Sequence, residues 1–204
     1  MSLYSSYSFK VVPIFDALLA TVNMLLFYSI YDAYKVSRDK RFLLLSLSFL
    51  TISLAAIVRI MIYIGIVYKL LPMALVFVSD LAFVSIKLVA FTMLCLMYVS
   101  EELRIFGKVM FLAPLQMLRG VFFIELGVVV VLAVIAVISG VNLVKKSCRS
   151  RAFVFMGFLA MLVGNIFLLL SIRLLSVYAF MVGYSVELIG FMLLMWVVAS
   201  IKLS

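Results

Sequence analysis

The sequence predicts an all-α, polytopic integral membrane protein with six transmembrane helices, on three observations. Of its 204 residues, 69% are hydrophobic and 12% charged, about half the charged share of an ordinary soluble domain. The mean hydropathy is +1.39. Apolar runs recur at the length of about 20 residues that a helix needs to cross a ~30 Å hydrocarbon core, with short charged breaks between them. So few charges cannot coat a globule, which excludes soluble enzymes, disordered tails, disulfide scaffolds and fibrous repeats.

The spans are expected at 11–34, 42–68, 73–100, 120–143, 152–172 and 177–201, forming one transmembrane domain over 1–204. Each is read as helix because backbone groups in lipid must pair within their own segment. The basic run 35–41 (KVSRDKR) ends the first span, and Lys69 with Pro72 separates the second from the third. The run 145–151 (KKSCRSR) separates the fourth from the fifth, and Arg173 marks a tight turn before the sixth. Residues 105–119 are apolar but short and broken by Pro114, which predicts an interfacial or shallow re-entrant segment. Lys10 precedes the first run, but Asp16 interrupts it and no small-residue cleavage site follows, so no cleaved signal is expected.

Let face A be the side that holds the 35–41 loop. Strict alternation of six spans places eight Lys and Arg at face A and seven at face B, a balance that leaves orientation open. Either the span count is off by one, or two halves (1–104 and 120–204) are joined by 105–119 as inverted three-helix repeats. Lys35, Ser37 and Arg41 match Lys145, Ser147 and Arg151 at a spacing of 110, and Leu88, Phe91, Leu94 and Ser100 match Leu188, Phe191, Leu194 and Ser200 at 100. Alternation also puts Cys95 near face A and Cys148 in a face-B loop.

Ionisable residues at membrane depth are costly and mark function by default. Four stand out: Arg59, Asp80, Lys87 and Glu187, with formal charges summing to zero. Counting from helix ends pairs Arg59 with Asp80 and Lys87 with Glu187 by depth. Asn23 and Asn165 fall near the midplane and complete a polar core around the second pair. Gly183 and Gly190 bracket Glu187 at a spacing of seven, inviting close approach of another helix. Asp16 and Glu125 are read as interfacial anchors, Asp16 balanced by Lys10 or Lys202 and Glu125 by Arg173. Buried pairs of this kind also serve simply to fix helix register.

With no histidine and two scattered cysteines, no cofactor, metal site or catalytic residue is expected, and the chain is not read as an enzyme. The net charge of +9 lies in short interhelical clusters. It therefore points to the lipid bilayer and its anionic headgroups, not to nucleic acid. The expected location is the cell membrane. The favoured function is a secondary transporter or channel-like protein for an ion or small solute, with Lys87, Glu187, Asn23, Asn165, Asp80 and Arg59 along its path. The alternatives are a non-catalytic subunit or scaffold, self-associating or bound to other membrane subunits, and a sensory membrane module.

Overall fold

The computed structural model describes residues 3–98, 121–145, 148–174 and 176–202. They form six α-helices: α1 (Leu3–Ser37), α2 (Lys40–Val67), α3 (Ala74–Tyr98), α4 (Val121–Lys145), α5 (Arg149–Leu174) and α6 (Val177–Lys202). All six are long and apolar enough to cross a membrane. The expected all-α, six-helix membrane architecture is what the described residues adopt. The expectation for 105–119 lies outside them.

Local chemistry explains the turns. Arg38 adopts a left-handed conformation (φ 56°) that ends α1. The Asp39 carboxylate then caps α2 by accepting from the Arg41 backbone N–H at 2.9 Å, which satisfies one of the helix's unpaired donors. Lys69 is likewise left-handed (φ 59°) and lets the Leu70 N–H return to the Gly65 carbonyl at 2.8 Å, closing α2 as a helix C-terminus requires. Within the spans, hydroxyls bond carbonyls one turn back, as Ser85 does to Leu81 and Thr92 to Leu88. Ser53 of α2 reaches across to the Ala20 carbonyl of α1 at 2.9 Å.

Each helix packs on its neighbours in chain order, and α1 closes on α6 to complete a ring. The closest contact is between α5 and α6, where two glycines on each helix face each other. A Cβ built on Gly164 would stand 2.7 Å from the Gly183 carbonyl oxygen, and one on Gly190 would stand 2.7 Å from that of Gly157. The approach expected around Glu187 is therefore real, and its partner is the 157/164 pair on α5.

The helix directions differ from strict alternation. Helices α4 and α5 are antiparallel, with Gly140 against Phe155 and Arg151 donating to the Asn142 carbonyl, and the facing glycines make α5 and α6 antiparallel too. Helices α3 and α6, however, meet in parallel register, Lys87 with Glu187 and Phe91 with Phe191. Parallel contact also joins α1 to α6: Phe15 meets Tyr184 near one end, while Leu26–Ile30 and Leu194–Val198 share a pocket near the other. Thus α1, α3, α4 and α6 run from face B to face A, and α2 and α5 return. Helix α3 ends at face A, whereas α4 begins at face B.

This corrects the sidedness read from the sequence. Cys148 with the start of α5 lies at face A, and Arg173 at face B. Among the described residues near the helix ends, Lys35, Arg38, Lys40, Arg41, Lys145, Arg149, Arg151 and Lys202 lie at face A, and Lys10, Lys69 and Arg173 at face B. Among the described residues the near-equal division of charge does not hold. A repeat that superposes α3 on the parallel α6 turns about the membrane normal, the relation of parallel repeats, and not about an in-plane axis.

Candidate functional site

The polar interior is built from side chains that enter the ring from all six helices at two levels. The deeper level is centred on Lys87, about three and a half turns into α3. Its ammonium lies 2.7 Å from Glu187 Oε1 and donates to Glu187 Oε2 at 3.0 Å and to Asn165 Oδ1 at 2.8 Å. Lys87 is 1% exposed and Glu187 0%. Helices α3 and α6 share no backbone contact, so long side chains make this bridge across the ring. The Asn165 amide donates to the Met161 carbonyl at 2.8 Å, which aims its oxygen at Lys87.

The second level lies within about two turns of the face-B ends of α2, α3, α4 and α6. Arg59 grips Asp16 of α1 at two points, Nε to Oδ2 at 2.6 Å and Nη2 to Oδ1, and Nη2 also donates to the Tyr184 hydroxyl. The guanidinium stacks on Phe83, with its carbon 3.8 Å from the ring centroid. This paired, fork-shaped geometry is what a guanidinium does best in a desolvated place. Asp80 is more distant from Arg59, at 3.7 Å, and its side chain is 34% exposed. It accepts a hydrogen bond from the Tyr63 hydroxyl at 3.1 Å.

Four assignments change accordingly. The principal partner of Arg59 is Asp16, with Asp80 secondary. Asp16, at 0% exposure, is no interfacial anchor. Glu125, at 3%, is buried in the ring without an ion pair to Arg173, and its Oε2 has no hydrogen-bond partner. Asn23 is buried as expected but donates to Leu19 of its own helix at 2.8 Å, does not join Lys87, and leaves Oδ1 unpartnered. The buried set thus gains Asp16 and Glu125, and its formal charge moves from zero to −2. Depth counting about the 38–39 turn would have found Asp16: it lies 22 residues before Arg38, and Arg59 lies 20 residues after Asp39, a difference of about half a turn.

A cavity of about 110 Å³ opens beside the second level, lined by Arg59, Tyr63, Asp80, Glu125, Ser171 and Tyr184 among others. Toward face A the deeper pair is followed by a layer of fully buried rings, Phe91 stacked on Phe191 at 6.5 Å and Phe49 edge-on to Phe191 at 6.2 Å. Beyond it lies an apolar pocket of about 220 Å³ between α1, α2, α5 and α6. From face B to face A the interior therefore reads mixed cavity with ionisable walls, ion pair, aromatic layer, apolar pocket.

These features define a multi-pass α-helical membrane protein with an ion-paired interior. No protein-family model, curated protein or solved structure matches the chain.

Proposed function

We propose that the protein is a small secondary transporter or channel-like protein of the cell membrane, moving an ion or small solute along the polar interior. The observation that carries this reading is the Lys87–Glu187–Asn165 cluster, buried where the ring's side chains converge and set between the face-B cavity and the aromatic layer. A charge pair that only fastened two neighbouring helices would not need to bridge helices without backbone contact. With the phenylalanines on its face-A side and the cavity on its face-B side, the buried cluster has the form of an occluded gate in alternating access. The excess of Lys and Arg at face A makes that face cytoplasmic by the positive-inside rule, so the cavity faces outward.

The test is flux into proteoliposomes containing the purified protein. Glu187→Gln keeps the shape and removes the charge, and is expected to abolish a flux that the parent carries while leaving the protein monodisperse in detergent. Equal flux in parent and variant, or no flux of any tested ion or solute in the parent, removes the reading. The alternative, a non-catalytic subunit or scaffold, would then be favoured by recovery of a stoichiometric membrane partner.

A further inference from the structure

We propose that the cavity beside Glu125 binds a small cation bearing N–H donors, an alkylammonium or guanidinium group. Among the described residues the interior holds Asp16, Asp80, Glu125 and Glu187 against Arg59 and Lys87. Asp16 and Glu187 have their cations. Asp80 is partly solvated and has Tyr63. Glu125 alone is deeply buried, lines the cavity and keeps an oxygen with no partner. An uncompensated carboxylate in that place is costly, and a cation in the adjoining cavity relieves it.

The two halves of the chain indicate the shape of that cation. Helices α2 and α5 begin 109 residues apart, at Lys40 and Arg149. The same offset carries Asp16 of α1 onto Glu125 of α4, and carries Arg59 of α2 onto Leu168 of α5. In the first half the carboxylate is held by a guanidinium from the next helix. In the second half the corresponding position is Leu168, which lines the same cavity as Glu125. The second half therefore presents an Arg59-like arrangement with its cation missing, and an open volume of about 110 Å³ in its place.

The other walls suit an N–H cation. Arg59 also lines the cavity, but it is neutralised by Asp16 and lies over the Tyr184 ring at 5.8 Å. Phe180, 4.7 Å from Tyr184, therefore supplies the ring available to a further cation. Ser171 spends its hydroxyl proton on the Leu168 carbonyl at 2.7 Å, so its oxygen is free to accept. Among the described residues no three acidic or thiol groups converge as a metal ion requires, which favours a cation recognised through hydrogen bonds. This site is distinct from the Lys87–Glu187 pair, and its test reads binding without flux.

The experiment is thermal unfolding of the full chain in detergent or nanodiscs, titrated with methylguanidinium or methylammonium chloride. Sodium and tetramethylammonium chloride at matched ionic strength are the controls. The parent is expected to gain about 5 °C in Tm, saturably, at a hundredfold excess over Kd, with no such gain from the controls. Glu125→Gln removes the charge and is expected to erase the gain. Leu168→Arg supplies the missing guanidinium from the chain itself, is expected to erase it too, and carries the comparison should Glu125→Gln fail to fold. Overturning results are an equal gain with the controls, no gain in the parent, or a gain that persists in either folded variant.

Discussion

Lys87 of α3 and Glu187 of α6 meet at 2.7 Å across the ring, from helices that run in the same direction. Equal depth is what the sequence revealed about them, because both residues sit near the middle of a span, where counting from either end gives nearly the same answer. Direction is what it concealed. Once the pair and the Phe91–Phe191 stack are seen one turn apart on both helices, parallel register follows, and with it the sidedness of every later loop.

Breaking this pair should cost more than deleting it. Lys87→Met leaves a buried carboxylate without its cation, and Glu187→Leu leaves a buried ammonium with only the Asn165 oxygen. Each single change is expected to lower unfolding stability by about 3–5 kcal/mol, and the double variant Lys87→Met/Glu187→Leu to recover most of that loss. Thermal unfolding of the four proteins checks it. A double variant as unstable as the sum of the singles would show that the two charges do not act as a pair.

The two carboxylates near Arg59 should differ sharply. Asp16 is fully buried and holds the guanidinium at two points, so Asp16→Asn is expected to cost about 3–5 kcal/mol. Asp80 is a third exposed and lies 3.7 Å away, so Asp80→Asn is expected to cost about 1 kcal/mol, mainly its bond to Tyr63. Urea or thermal denaturation in one detergent ranks them. The reverse order would make Asp80 the true partner of Arg59.

Helix existence was legible because each span is a long apolar run with a charged break, and the physics of lipid leaves one backbone solution. Lys87, Glu187 and Asn165 were legible because depth alone selects polar groups near the midplane. Asp16 was missed through its nearness to the chain's start, although the hairpin arithmetic that suggested Asp80 applies equally to it. Glu125 was misread because it sits one turn inside α4, and linear distance from a helix end says nothing of whether a neighbouring helix covers it. Gly157 and Gly164 escaped notice since a small residue shows its role only beside the helix that packs on it.

The helix directions make a topological prediction. Cys148 is exposed and lies at face A, while Cys95 is buried. In membrane vesicles of one orientation, an impermeant maleimide should reach Cys148 and an introduced Ser37→Cys from the same side. Leu70→Cys in a Cys148→Ser background should be reached only from the other. The positive-inside rule predicts that the first side is cytoplasmic. Labelling of Cys148 from the side that reaches Leu70→Cys would restore alternation of all six helices and overturn the parallel register of α3 and α6.

Glycines at two interfaces should respond with opposite sign. At Gly164 a methyl group would meet backbone, the Glu187 nitrogen and the Gly183 oxygen both at 2.7 Å. Neither atom can move without shifting α6, which also carries Glu187 to Lys87. Gly164→Ala is therefore expected to cost about 1–3 kcal/mol through overpacking, and to weaken the ion pair it displaces. At Gly127 the nearest atoms are the Leu88 methyls at 3.4 and 3.5 Å, ordinary contact distances on a flexible side chain. Gly127→Ala should be neutral or stabilising by up to ~1 kcal/mol, since alanine is the better helix former. Thermal unfolding of the two variants side by side decides the matter. A Gly164→Ala protein as stable as the parent would mean that α5 and α6 lie farther apart than the structure places them.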